Sequence, residues 1–269
     1  MITTSSVIVY DWGIEVKKTY QYKIKEGHLC VEDIDYLPEI PNGVTTLVCS
    51  GNMMLTSLPN LPDGLVYLDC SNTGLTRLPK LPDSLLALNC SSTKISELPA
   101  LPDSLSVLNC SSTKISELPP LPADLIEFEC ADTPLEYFPI LPENIKVLNC
   151  CHNKVSLIPE IHKNLQKIYI EGCKITSLPE LPKGLKVLHL WNTDIKTIPE
   201  LPDSLLHLEI RNNPKLIAFP IIPSSVKLFY CYDRNSLPLP EIPSMCQVFT
   251  EGYKGLYGNQ ISKSNESAK

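Results

Sequence analysis

Two histidines and a glutamate in the last third of the chain could hold a metal ion or exchange a proton. His189 and His207 lie eighteen residues apart, and Glu209 follows His207 by two positions. Imidazole and carboxylate groups are metal ligands and also act as general acids and bases. Either role requires a cavity and further side chains that orient the groups. On a flat surface we expect no such cavity and no such orienting groups. We therefore predict no metal ligand and no catalytic residue.

Cysteine is the other reactive residue type, with eleven copies. Six of them recur every 20 or 21 residues, and isoleucine or leucine takes the same place later in the chain. This column consists of Cys49, Cys70, Cys90, Cys110, Cys130 and Cys150, followed by Ile170, Leu190 and Ile210. Replacement by apolar residues predicts a buried filler with a free thiol. Parallel side chains are poor disulfide geometry, so we expect reduced thiols and a cytosolic setting.

These columns belong to a repeat that defines the architecture. The unit LPxLPxxLxxLxCxxTxIxx recurs about ten times between Leu37 and Phe249, and the copies at Leu78–Glu97 and Leu98–Glu117 differ at few places. A period near 20 with leucine at fixed offsets is typical of a leucine-rich repeat solenoid, a horseshoe or superhelix. Each repeat should add one short strand to a parallel sheet on the concave face.

The rest of each repeat predicts an extended, polyproline-like convex side. Paired prolines such as Pro79 and Pro82 remove backbone donors, so very little helix is expected there. Asp83-Ser84 should bond its own backbone to turn the chain into the strand. A column of short polar residues, including Thr93 and Thr113, should satisfy backbone amides after the strand.

The repeat also sets the domain limits. Residues 1–36 lack it and alternate apolar with polar residues, which predicts a β-hairpin cap. Residues 37–250 form the solenoid, and residues 251–269 form a C-terminal tail that we expect to be partly disordered because it is polar.

The net charge and the N-terminal residues indicate which classes of partner and which cellular locations to expect. A net charge of -7 disfavours nucleic acid, which attracts a clustered positive surface. The apolar run at residues 7–10 has no Lys or Arg before it and is too short for a signal-peptide core or a membrane span. We therefore expect no cleaved signal peptide and no membrane insertion.

The motif with paired prolines resembles the LPX-type repeats of secreted bacterial effectors, the group that includes YopM and the IpaH and SspH proteins. The resemblance covers about four fifths of the chain and implies a virulence protein that binds a host protein. It also implies a bacterial cytoplasmic location before secretion and the host cytosol afterwards. Threonine replaces the asparagine usual in that family, and the cap here is β-rich rather than helical.

The resemblance raises the question of a ubiquitin ligase, because some members carry a separate domain with a Cys-x-Asp nucleophile. Cys130-Ala131-Asp132 matches that motif. Cys130 lies in the buried column, however, whereas a nucleophilic thiolate needs exposure. No phosphate-binding loop, H-E-x-x-H or nucleophile elbow occurs either. We predict a repeat domain without ligase activity, a protein that is not an enzyme and needs no cofactor.

The predicted binding site lies on the outward strand positions of the C-terminal half. Early repeats carry mostly Asn and Ser there, whereas later repeats carry the aromatic, histidine and charged residues that dominate binding hot spots. The predicted site consists of Lys167, Tyr169, Glu171, His189, Trp191, His207, Glu209, Arg211, Tyr230 and Tyr232. We expect a monomeric protein-interaction module; the alternatives are a structural or surface-associated repeat protein without a single partner, and an undetected hydrolase that uses the two histidines.

Overall fold

The computed structural model describes residues 2–11, 14–232 and 237–250, with side chains from Lys25 to Cys231 and from Leu237 to Thr250. These residues form fourteen strands and no helix. The strands are β1 (Ile2–Asp11), β2 (Ile14–Lys25), β3 (His28–Cys30), β4 (Thr46–Val48), β5 (Tyr67–Asp69), β6 (Ala87–Asn89), β7 (Val107–Asn109), β8 (Glu127–Glu129), β9 (Val147–Asn149), β10 (Lys167–Glu171), β11 (Val187–Trp191), β12 (His207–Arg211), β13 (Leu228–Tyr232) and β14 (Gln247–Phe249). The predicted tail at residues 251–269 lies outside the described residues.

The chain divides into two compact units, Met1–Leu135 and Glu136–Lys269. In the first unit, β1 and β2 pair antiparallel from Ile2↔Lys23 to Asp11↔Ile14. β3 pairs antiparallel with β2 and parallel with β4, and this parallel pairing continues through β8. β3 therefore joins the antiparallel strands to a parallel ladder.

The second unit continues the same repeat. Each strand from β9 to β14 pairs parallel with the next one along the chain. Every repeat contributes one strand to the parallel sheet and returns without a helix in the described residues. The leucine-rich repeat solenoid predicted from the period is thus confirmed, and no helix of the described chain is long and apolar enough to cross a membrane.

The core of each unit consists of ladders of identical positions. In the first unit, Leu47, Leu68, Leu88 and Leu108 lie in register on consecutive strands and are buried. All six cysteines of the column are buried and none of them forms a disulfide, and the apolar side chains that replace them later are buried too. Burial raises the pKa of the Cys90 thiol to about 12, which keeps it protonated.

Side-chain hydrogen bonds connect the turns differently from the sequence prediction. The Thr73, Thr93, Thr113 and Thr133 hydroxyls each donate to the carbonyl of the column cysteine three residues earlier, at 2.8 Å. The predicted bond to a backbone amide is present at Asn213, whose Oδ1 accepts from Thr193 N at 3.0 Å, and is longer at Thr113, whose Oγ1 lies 3.5 Å from Ile115 N. Ser104 Oγ donates to Asp83 O and Leu85 O of the preceding repeat, both at 2.8 Å, rather than to its own turn.

Candidate functional site

The strands that carry the predicted site are longer than β3–β9, which have three residues each. β10, β11, β12 and β13 have five residues each, and outward side chains alternate with buried ones along β10 and β11. The parallel register aligns the outward positions in three rows: Lys167, Val187, His207 and Leu228; Tyr169, His189, Glu209 and Tyr230; and Glu171, Trp191, Arg211 and Tyr232. Residues far apart in the sequence therefore lie one strand apart.

Five ring-bearing side chains form a continuous row across β10–β14, which we call the aromatic–histidine row. Tyr169 contacts His189 edge to face at a centroid distance of 4.8 Å, and His189 contacts His207 in the same manner at 4.9 Å. His207 then lies 5.5 Å from Tyr230, which stacks on Phe249 at 4.5 Å with an interplanar angle of 12°. Ring contacts of this kind add to the stability gained from burial alone.

A charged cluster adjoins the row. Arg211 Nε lies 2.6 Å from Glu209 Oε1. The Arg211 guanidinium carbon also lies 5.3 Å from the centroid of the Trp191 ring and 5.2 Å from that of Tyr230, within the range of a cation–π interaction. Glu209 is nearly buried, with its other oxygen, Oε2, 3.7 Å from His189 Nδ1. Arg211 therefore links the acidic group to two aromatic rings.

Burial and this cluster shift the pKa values of the titratable groups. Burial lowers the pKa of His189 to about 4, with further lowering by His207 and Arg211. Burial and then Arg211 lower the pKa of His207. Burial also raises the pKa of Glu209, although Arg211 acts in the opposite direction. Both imidazoles are thus neutral at pH 7, and Arg211 is the cation of the cluster.

Seven of the ten predicted residues form this contact network: Tyr169, His189, Trp191, His207, Glu209, Arg211 and Tyr230. Lys167 is exposed at the edge of the outward face. Glu171 pairs instead with His152, whose Nε2 lies 3.4 Å from Glu171 Oε1. Tyr232 pairs with Arg211 through the backbone register, and its side chain lies outside the described part of the structure.

The sequence prediction missed two residues, His152 and Phe249. His152 follows the outward Cys151 and has a left-handed backbone with φ of 54°, so the strand alternation does not reveal its direction. Phe249 lies in register with Tyr230 on β14, where the repeat pattern has weakened. Extension of the outward column by one more repeat would have identified Phe249.

Outward side chains of the first unit form hydrogen bonds within the chain. Asn89 Oδ1 accepts hydrogen bonds from the backbone N–H and the hydroxyl of Ser91, at 3.2 and 2.8 Å. Asn109 Nδ2 donates to Glu129 Oε2 at 3.0 Å. These small side chains form a polar surface, in which Tyr67 at the outward start of β5 is an exposed aromatic residue, as Trp191 is in the second unit.

The Cys-x-Asp motifs do not form a nucleophilic site. The sequence contains a second one, Cys231-Tyr232-Asp233, in addition to Cys130-Ala131-Asp132. Cys130 is 1% exposed and Cys231 is 2% exposed. A nucleophilic thiolate needs access to its substrate, and both sulfur atoms are in the core instead.

The structure is similar to those of known leucine-rich repeat proteins. No protein-family model and no curated protein sequence matches the chain. The structure of YopM from Yersinia enterocolitica WA-314 is 31% identical, with a TM-score of 0.74 over 80% of this chain and 47% of the YopM chain. YopM from Yersinia pestis, described as a leucine-rich effector protein, is 25% identical, with a TM-score of 0.63 over 81% of this chain and 74% of its own. A leucine-rich repeat protein from Leptospira interrogans shares the fold at 18% identity, with a TM-score of 0.51 over 77% of this chain and 72% of its own. This chain thus spans about half the length of the Y. enterocolitica structure.

Proposed function

We propose that this chain, a leucine-rich repeat domain of the kind found in bacterial effectors, is a non-enzymatic module that binds a protein on the outward face of β10–β13. The solenoid fold and the similarity to the two YopM structures support an interaction role. Repeat folds of this type present extended surfaces to their partners. The aromatic, histidine and charged residues in the outward rows of β10–β13 support this face as the contact area.

The observation that carries this proposal is the exposure of Trp191. It lies on the outward side of an interior strand and is 36% exposed, although the Arg211 guanidinium covers part of the ring. Tryptophan and arginine are enriched among the residues that dominate binding energy. An exposed indole beside a fixed guanidinium is therefore a suitable centre for an interface.

The geometry of the site supports binding better than catalysis. The network around His189 and His207 is built from aromatic, acidic and basic side chains. Acyl transfer or hydrolysis by a covalent route requires a nucleophile within hydrogen-bond reach of such a base. The cysteines of both Cys-x-Asp motifs are buried, and we assign them to packing.

We further propose that the partner is a host-cell protein, that the chain reaches it after secretion, and that it acts as a monomer in the host cytosol. The support is the similarity to YopM, of which the Yersinia pestis protein is described as an effector. Light scattering coupled to size exclusion measures the oligomeric state; a mass well above the 30.0 kDa of one chain would contradict the monomer.

Capture from a host-cell lysate tests the proposed face. Three immobilised proteins are compared: the wild type, Trp191→Ala, and the double variant Asn89→Ala with Asn109→Ala. We expect wild type and double variant to capture the same protein. Its affinity for Trp191→Ala, measured by calorimetry, should be weaker by about 1–4 kcal/mol, the range of hot-spot residues.

The asparagine variant is the matched control because both residues face outward from the first unit. Circular dichroism and the unfolding midpoint establish that each variant is folded. Loss of capture by the double variant, together with wild-type affinity of Trp191→Ala, would place the interface in the first unit and refute the proposal.

A further inference from the structure

His189 and His207 each have a buried nitrogen without a hydrogen-bond partner. The Nε2 atoms of both rings are inaccessible to solvent and accept or donate no hydrogen bond among the described residues. A buried polar atom left in this state destabilises the folded protein. Such atoms in native proteins are usually explained by a bound water or ion. Two of them on neighbouring strands indicate a small polar ligand.

The backbone places a third ligand group beside the two rings. Glu209 lies directly opposite His189 in the register of β11 and β12 and follows His207 by two residues on the same strand. One ligand atom from each of His189, His207 and Glu209 lies within 4.8 Å of the others. In a tetrahedral zinc site, ligand atoms about 2.0–2.2 Å from the ion are about 3.3–3.6 Å apart.

We propose that His189, His207 and Glu209 bind a zinc ion as its three protein ligands. Two imidazole nitrogens and one carboxylate oxygen are a ligand set that suits zinc. A zinc ion with three protein ligands takes water or a group from another molecule in its fourth position.

The structure also supplies the surrounding groups that a flat sheet was expected to lack. Arg211 Nε lies 2.6 Å from Glu209 Oε1 and so orients the carboxylate, which leaves Oε2 on the side of His189. The Tyr169 ring contacts His189 and the Tyr230 ring contacts His207, which restricts both imidazoles. A polar group that orients a metal ligand, as Arg211 does for Glu209, is worth about 10–100-fold in metal affinity. This proposal differs from the sequence prediction, which expected no metal ligands on a flat face.

Metal uptake by the full chain tests the proposal directly. The protein carries no histidine tag, is stripped with a chelator, and is kept reduced by a reagent without thiols. Zinc uptake is measured by equilibrium dialysis, and cobalt serves as the optical probe. We expect one ion per chain and visible cobalt bands of a tetrahedral site. Strong near-ultraviolet bands from cobalt–thiolate bonds would indicate a cysteine site and overturn the proposal.

Single variants identify the ligands. His189→Ala and His207→Ala should each weaken zinc binding by at least about tenfold, by comparison with the effect of outer contacts. The matched control is His152→Ala, which removes another histidine of the second unit that also has a glutamate partner. Wild-type affinity in the doubly substituted His189→Ala/His207→Ala protein, or an equal loss in His152→Ala, would refute the assignment.

A measurement on the wild type makes the test independent of variant folding. The ring-nitrogen resonances of His189 and His207 should shift on addition of zinc and stop changing at one equivalent. Unchanged resonances for both rings would also refute the site. Neither experiment involves a protein partner, so its result is separate from that of the lysate capture.

Discussion

Substitution of Arg211 tests whether the cluster on the outward face stabilises the fold. Arg211→Ala removes the 2.6 Å ion pair with Glu209 and the contacts with the Trp191 and Tyr230 rings. The Arg211 and Glu209 side chains are only 24% and 12% exposed. Breaking a buried pair costs about 3–5 kcal/mol and an exposed one about 0–1 kcal/mol. For this partly buried pair and its ring contacts we expect a loss of about 2–4 kcal/mol in the free energy of unfolding.

A double-mutant cycle separates the ion pair from the other contacts. Wild type, Arg211→Ala, Glu209→Gln and the double variant are unfolded in urea and followed by circular dichroism. We expect a coupling energy of about 1–3 kcal/mol between the two residues. The control cycle is Lys154 with Glu136 in the same unit, 62% and 55% exposed at 3.6 Å, for which coupling should stay below about 1 kcal/mol. Equal coupling in both cycles would refute the role assigned to burial.

The buried cysteine column makes two further predictions. Cys110→Ser should lower the free energy of unfolding by about 1–3 kcal/mol, because a hydroxyl enters an apolar site, whereas Cys110→Val should lower it less; equal melting temperatures of wild type and Cys110→Ser would contradict this. Stability should also fall as pH rises above the ordinary thiol pKa of about 8.5, since an unfolded thiol then ionises while buried Cys49 and Cys90, with pKa raised to about 12, stay protonated. The stabilisation from the protonated buried thiols is fully present below about pH 8.5 and is lost toward pH 12. Cys90→Val should make the fall of stability with pH shallower. An unchanged slope of stability against pH would contradict this explanation.

The sequence predicts the repeat fold well because stacking in register leaves few alternatives. Each turn places its leucines on those of the next turn, so a fixed period directly specifies the buried ladder of Leu68, Leu88 and Leu108. The cysteine column follows from the same argument. The repeat period does not predict the partners of the side-chain hydrogen bonds, because a tight turn offers both a carbonyl and an amide within reach of one hydroxyl. Thr93 thus donates to Cys90 O instead of serving the predicted amide.

The outward face was predictable as a set of residues and not as a network. Alternation along each strand identifies which side chains leave the core. It does not specify rotamers, so the pairing of Glu209 with Arg211 and of Glu171 with His152 required the structure. The stacking of Phe249 on Tyr230 was missed for a different reason, since the repeat pattern weakens before β14.

Arg211 and Trp191 face the same side, yet they should contribute to binding in different ways. The Arg211 guanidinium is already held by Glu209 and two rings, so a partner need not restrict the roughly 2 kcal/mol of rotamer entropy that a free arginine carries. Alanine at Arg211 would remove a contact with the partner and also loosen its neighbours. Alanine at Trp191 removes a 36% exposed ring and leaves the ion pair intact. Trp191→Ala also loses the cation–π contact with Arg211 but keeps the ion pair, so affinity loss with a smaller stability loss is expected at Trp191, and a larger stability loss at Arg211.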